Sequence, residues 1–532
     1  MAIQSNIGLF GIPNGIGKFS SSFQLSNFFP STYFTPSRLT MDVVRPRPDS
    51  DVTGVISYDH RGYVGIETVI KISVKGGAYP FVLENITMPT GATVGATVFD
   101  NDYLVIRYTP SANGTFSFSV DVVDQQMTRI TRTWTMTVSE TWVVFAGPAG
   151  NDTTGLGTKL MPYLTVAKAF EVTTGGKSLC LLNGTYGLTA GGLSMSSSGI
   201  NSIFSETNRG ATIDAATITT AFHGRHFYLN SPHCYIGGLR FTNPSTAGAN
   251  PRWFSDESGT CSRVFMDNCY FNNNGRIGTD NNDNVSCFFL GGNASEALRR
   301  SYVTQTRCDF LGFVGVGNGW SSIDMYITEN CVIEQNTFQS QVGSGTATAA
   351  VVWMKGAANK EVTIRRNEFL DYWSGNIIDM YVANTTLADN VTGNMEVSYN
   401  VIRGNDTASD AALVWCRGSQ DGARLPLYMY RNTVVGRVVI HKRGYTVTFS
   451  SESDVIIHNH TNTDPHKIYV YDPNDGDNNY RPLSWMASLT SSVTNYELHL
   501  TSSTGVLDSA LKLIGASRTS WLGRRGHEIY KP

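Results

Sequence analysis

Apolar and polar positions alternate along this chain in two different ways. Between about residues 51 and 139 the alternation has period two, in runs such as YLVIRYTP (103–110), GTFSFSVDVVD (114–124) and RTWTMTV (132–138), separated by turn residues. Side chains on a strand point to opposite faces in turn, so each run fits a strand with one buried face. Several such strands at short spacing predict a β-sandwich of about 90 residues.

Further along, the alternation is organised as a repeat. A triplet of Asn or Cys, any residue, then an apolar residue recurs at Cys269-Tyr-Phe271, Cys308-Asp-Phe310, Asn336-Thr-Phe338, Asn367-Glu-Phe369, Asn400-Val-Ile402 and Asn432-Thr-Val434. The steps are 39, 28, 31, 33 and 32 residues. Leu239-Arg-Phe241 reads as the start of the series and Asn459 as its end. A single coil of this length cannot bury its own apolar face, whereas stacked coils can. The first and third residues of a triplet share a face, so the Phe or Ile and the Asn or Cys are expected inside. Buried asparagines without partners would cost too much. Asn336, Asn367, Asn400 and Asn432 are therefore expected to bond one another as a ladder between coils.

A second strand aligns in the same coils. Ile323-Asp324-Met325-Tyr326 lies over Val352-Trp353-Met354-Lys355, then Ile378-Asp379-Met380-Tyr381 and Val414-Trp415-Cys416-Arg417, with Cys287-Phe288-Phe289-Leu290 placed before them. The aliphatic and Met or Cys positions alternate inward. The outward stripes then read Phe288, Asp324, Trp353, Asp379, Trp415 and Leu290, Tyr326, Lys355, Tyr381, Arg417. Aromatic rings stack on sugar rings, and carboxylates and cations bond hydroxyls or uronates. Trp353, Trp415, Tyr326, Tyr381, Lys355 and Arg417 are thus the candidate glycan-binding residues. The competing account covers this face with a long loop or a neighbouring subunit, since large aromatic patches are rarely left open without a use.

Asp324 and Asp379 are the candidate catalytic pair. Two coils separate them by about 9.6 Å at the backbone, against about 6.5–9.5 Å between the carboxylates of inverting glycosidases. Asp324 would be the acid and Asp379 the base. Asp309 and Glu368 form a second pair, read as outward and also two coils apart. A lyase would use Lys355 or Arg417, and the hydrolase is preferred because no acidic calcium cluster is evident. The chain is thus a candidate polysaccharide depolymerase without a firm assignment as an enzyme.

Composition narrows the classes. Charged residues make up 16% and the net charge is −3, so the basic surplus of a nucleic-acid partner is missing. No apolar run reaches the length of a transmembrane helix, so no membrane insertion is expected. The first residues lack a basic, then apolar, leader, and no signal peptide is expected. All eight cysteines fall between Cys180 and Cys416 with no C-x-x-C pair, which reads as buried free thiols. His458-Asn-His460 has the spacing of a metal pair, but the surface-strand reading is preferred, and DPNDGDNN (472–479) reads as a solvated turn. No metal or cofactor is expected.

Two resemblances follow from particular residues. The segment GGAYPF…MPTGA…YLVIRYTPSANGTFSFSVDVVDQQ…TWTMTV resembles Ig-like or cadherin-like modules. The stretch VVFAGPAGNDTTGLGTKLMPYLTVAKAFEVTTGGKSLCLLNGTYGL (143–188) is similar to the opening of right-handed parallel β-helix proteins of the pectate-lyase type, with a G-N-D turn, a G-T, a Pro-capped short helix and a G-x-Y strand. The whole resembles a phage tailspike or receptor-binding protein. That implies an all-β chain: a right-handed single-stranded parallel β-helix with an N-terminal Ig-like β-sandwich. The expected division is an attachment arm and linker (1–50), the sandwich (51–140), the β-helix with its N-terminal cap (141–450), and last coils with a C-terminal cap (451–532). The resemblance further implies a virion location, attachment to other virion proteins through the arm, a homotrimer, and recognition of a host surface polysaccharide. A secreted polysaccharide lyase or hydrolase and a purely structural virion appendage stay open beside it.

Overall fold

The computed structural model describes the strand Thr40–Arg45, most of residues 60–277, and beyond them the strands and a few adjoining turn residues out to His499. Three sheets of 11, 10 and 11 strands, parallel except where Ile468–Tyr471 meets Tyr480–Pro482, dominate the described residues. Each coil visits them in the same order. Lys177–Leu181, Gly184–Gly187 and Leu193–Ser196 enter the first, second and third sheets, and Ile200–Ser205 returns to the first. Strands pair with their counterparts one coil away, as Leu179 does with Ile203 and Tyr186 with Ile213. Backbone polar groups are satisfied between coils, so each coil needs its neighbours. This is a parallel β-helix.

Its interior is one continuous core running from Val144 to Phe369 among the described residues. The second sheet contributes a file of phenylalanines. Phe241, Phe271, Phe310, Phe338 and Phe369 stack face to face with ring centroids 4.8, 5.1, 4.8 and 4.8 Å apart. Identical rings in identical registers stack at the strand spacing, which explains why Phe recurs in the triplets.

Beside that file runs the asparagine ladder. The Asn336 side-chain oxygen accepts from the Cys308 amide at 2.9 Å. The Asn367 oxygen accepts from both the backbone and side-chain amides of Asn336, each at 3.0 Å, and the Asn400 oxygen does the same for Asn367. The side-chain amides of Asn367 and Asn400 also donate to the carbonyls of Ile333 and Ile364. All three side chains are fully enclosed. Asn432 lies outside the described residues. A left-handed residue precedes several ladder positions: Gly238 (φ 61°) before Leu239, Asn268 (φ 56°) before Cys269, and Gln335 (φ 55°) before Asn336. That conformation turns the chain from the first sheet into the second, and non-glycine residues occupy it only where the fold demands it.

The six described cysteines are free and buried. Cys269 and Cys308 take ladder positions, and burial pushes the Cys308 thiol well above its ordinary pKa, with the Cys269 thiol adding to the effect.

Residues 143–172 close the N-terminal end. The strand Val143–Ala146 ends the first sheet, and the following loop folds back along it. Phe145 donates to the Gly157 carbonyl at 2.9 Å and accepts from Tyr163 at 3.0 Å, and the Gly147 amide donates to Tyr163 at 2.8 Å. Asp152 pins the loop by accepting from the Leu164 and Thr165 amides and the Thr165 hydroxyl. Thr165 then caps the helix Val166–Val172 by accepting from the Lys168 amide.

Before the helix stand two four-stranded sheets around a shared core that includes Ile70, Ile106, Phe118, Val120, Trp134 and Met136. Phe118 and Trp134 stack at 5.3 Å. Pairings are antiparallel except His60–Gly62 with the end of Arg129–Val138. The strand Thr40–Arg45 pairs with Thr68–Lys75, inside the stretch expected to be arm and linker. This sandwich does not stand apart from the helix. Tyr63 and Ile66 join Val143, Phe145, Cys180, Phe204, Tyr235 and Phe265 in one apolar cluster on the first parallel sheet. The Tyr63 ring stacks on Phe204 at 5.4 Å, and its hydroxyl bonds the Ser178 hydroxyl.

Candidate functional site

The third sheet carries the candidate site, and its register is continuous. Asp324 pairs with Trp353, Trp353 with Asp379, Asp379 with Trp415, and Trp415 with His441. Tyr326 pairs with Lys355, Lys355 with Tyr381, Tyr381 with Arg417, and Arg417 with Arg443. Between these files run the core positions. Ile323 and Met325 are fully buried, and Val352, Ile378 and Val414 follow Ile323 in register. Strand alternation therefore puts both files on the face opposite the core. The structure brings the eight candidate residues Asp324, Asp379, Trp353, Trp415, Tyr326, Tyr381, Lys355 and Arg417 onto one face of one sheet. Asp324 and Asp379 are two strand spacings apart, about 9.6 Å at the backbone.

The coil before these differs from the expectation. Phe288 pairs with Ile323 and Phe289 with Asp324, while Leu290 pairs with Met325. Phe288 and Leu290 thus belong to the core registers, and Phe289 heads the Asp/Trp file. A slip of one residue exchanges the two faces of a strand, and two adjacent phenylalanines gave the pattern no means of choosing. One coil earlier the same file reaches Ser255, which is fully buried. Ser322, two residues before Asp324 on the same side of its strand, is fully buried as well, so the cover over this side reaches from the Ser255 coil into the Asp324 coil.

Sequence reasoning stopped the files too early. His441 and Tyr471 continue the Asp/Trp file, and Arg443 continues the Lys/Arg file. The Asn432-Thr-Val434 triplet does precede the VVIHKR strand (438–443), but the alignment of strands in the sequence stops at residues 414–417.

The second carboxylate pair is also placed. Asp309 pairs with Thr337 and Thr337 with Glu368, two coils apart on the second sheet. Glu368 is only 6% exposed, so the position lies on the side of the strand away from the Phe369 core file, as expected, but is covered. Its neighbour Asn367 is fixed in the ladder, and burial at the second sheet extends beyond the inward positions.

His460 and the 472–479 segment lie outside the described residues. Among the described residues no group of three or more His, Cys, Asp or Glu side chains could hold a metal, and no helix is long and apolar enough to cross a membrane.

One cleft lies elsewhere. It measures about 530 Å³ and is bordered by Phe170, Glu171, Thr173, Leu193, Ser194 and Ser196, between the cap helix and the first strand of the third sheet. Glu171 is the one ionisable residue in its lining. Four strand steps, Leu193–Ser196 to Ser321–Tyr326, separate it from the Asp/Trp file by roughly 19 Å.

No family model matches the chain, and no curated protein matches it in sequence. Among solved structures it is similar to the family 28 exopolygalacturonase of Yersinia enterocolitica, with 9% identity and a TM-score of 0.34 over 77% of this chain and 96% of that one. The parallel β-helix described above rests on this chain's own strand pairing.

Proposed function

We propose that the chain binds an extended polysaccharide laid across the third sheet, and that it does so as a virion tail spike or fibre protein at the host surface. The observation that carries the binding is the unbroken register of Asp324, Trp353, Asp379 and Trp415 on four consecutive coils. Tryptophans at alternate strands offer ring faces at a fixed interval, and the carboxylates between them accept hydroxyl hydrogen bonds. In this reading the coil is right-handed, the sense that parallel-strand crossovers take almost without exception. The sandwich is an Ig-like spacer, the first residues join other virion proteins, and the shaft is a homotrimer.

The test is binding of polysaccharide purified from host cell surfaces to the wild type and to a Trp353→Ala, Trp415→Ala double variant, with thermal melting to confirm that the variant folds. Central tryptophans of an interface are commonly worth about 2 kcal/mol or more, so a loss of at least about thirtyfold is expected. Wild-type binding that survives both substitutions defeats the reading.

The spacing of Asp324 and Asp379 favours a second reading, hydrolysis of the bound chain by inversion. Asp324 would protonate the leaving oxygen while Asp379 activates water on the other side of the ring. New reducing ends lost in Asp324→Asn and in Asp379→Asn, without unsaturated-uronate absorbance, would establish it. Unsaturated products that persist in both variants would instead point to elimination at Lys355 or Arg417.

A further inference from the structure

Successive strands of the third sheet alternate in chemistry on the face opposite the core. Ser321–Tyr326 carries Asp324 and Tyr326, and Ala350–Lys355 carries Trp353 and Lys355. Asn376–Val382 then carries Asp379 and Tyr381, and Val414–Gly418 carries Trp415 and Arg417. Acid–phenol rows thus alternate with indole–cation rows. The alternation repeats every two coils, about 9.6 Å. It ends at Val438–Arg443, where Arg443, in the row with His441, places another cation directly after the Trp415–Arg417 row.

We infer that the glycan is a linear polymer of alternating acidic and neutral sugars, its acidic units placed over the Trp353/Lys355 and Trp415/Arg417 rows and its neutral units over the Asp324/Tyr326 and Asp379/Tyr381 rows. This rests on the glycan-binding reading above and specifies its substrate class. An extended pyranose chain advances by a length comparable to one strand spacing per ring, so a disaccharide spans two coils. A carboxylate over Lys355 or Arg417 gains a charge-assisted hydrogen bond, and arginine offers a planar two-pronged donor. The same carboxylate over Asp324 or Asp379 meets like charge. A polymer with an acid on every ring places half its carboxylates against those aspartates. A neutral polymer makes no use of Lys355, Arg417 or Arg443. Only the alternating polymer satisfies every row, and the His441–Arg443 row supplies an extra cation where the chain leaves the sheet.

The experiment measures affinity for length-matched oligosaccharides of three kinds at low and high salt. The kinds are hyaluronan fragments (acidic and neutral units alternating), polygalacturonate (acid on every ring) and cello-oligosaccharides (neutral). Each is titrated against the wild type, a Lys355→Gln, Arg417→Gln variant and the Trp353→Ala, Trp415→Ala variant. The expected result is that hyaluronan fragments bind tightest, that salt weakens this binding, and that the Lys355/Arg417 variant loses at least about tenfold on them while binding of the neutral oligosaccharides is unchanged. Tryptophan-dependent binding led by the neutral oligosaccharides, or by polygalacturonate, overturns this inference and leaves the glycan-binding reading standing. Hyaluronan binding indifferent to Lys355 and Arg417 also overturns it. Absence of binding in all three series while host surface polysaccharide still binds overturns this inference alone, and loss of that binding as well overturns both.

Discussion

The side-chain oxygen of Asn367 holds two hydrogens of Asn336 at once, the backbone and side-chain amides each lying 3.0 Å away. One atom thus satisfies two buried donors of the coil before it. Asn367→Ala would remove the acceptor that both donors share, in a site that excludes water. The expected loss is on the order of 3 kcal/mol, read as a fall in the denaturant midpoint. A change below a few tenths of a kcal/mol would mean that the coils hold register without the ladder.

Phe338 has a ring on each side, Phe310 and Phe369, both 4.8 Å away and nearly parallel to it. Phe338→Ala opens a cavity in the middle of the file. Stability should fall by about 3–5 kcal/mol. Calorimetry on the variant checks this, and a fall under about 1 kcal/mol would show that the file collapses around the gap.

Asp121 gives the sandwich an acid-sensitive joint. Hydrogen bonds from the Thr131 hydroxyl (2.6 Å), the Asn85 amide (2.7 Å) and the Arg129 guanidinium (2.7 Å) hold its carboxyl below the ordinary value, against a smaller upward push from burial. The folded pKa is therefore lower than the unfolded one of about 3.9. The linked stability is fully present above that unfolded value and is lost as pH falls through the folded pKa. Melting midpoints of the wild type and Asp121→Asn, followed from about pH 5 to about pH 2, should converge at the acid end. Parallel curves would sink the assignment.

Tyr63 couples sandwich to helix through its stack on Phe204 and its bond to Ser178. Tyr63→Ala should uncouple their unfolding, so that one calorimetric transition becomes two. Protease cleavage between the parts should quicken as well. An unsplit transition with unchanged cleavage would place the coupling in Ile66 and its neighbours instead.

What the sequence made legible was whatever stacking forces to repeat. Asn336, Asn367 and Asn400 recur because each is the next one's partner, and the phenylalanines recur because a ring stacks best on its like. The Asp324–Trp353–Asp379–Trp415 file was legible for the same reason, since its flanking core residues fix the register. Elsewhere the signal failed for physical causes. Phe288 and Phe289 are chemically alike, so composition could not choose between faces. Glu368 looks like an outward residue by alternation, yet it is buried, and alternation reports only which side of a strand a residue occupies. The docking of Tyr63 on Phe204 joins residues 141 positions apart with no pattern shared between them.

The fold-back of residues 157–163 along Val143–Ala146 has a consequence for assembly. A stack of parallel strands is a template at both of its ends, and any chain that offers a matching strand could add to it. Here the Phe145 amide and carbonyl are occupied by Gly157 and Tyr163, and the Gly147 amide and carbonyl by Tyr163 and Gly150. Another strand cannot add edge to edge at that terminus without first displacing the fold-back, which blocks the head-to-tail route to a filament.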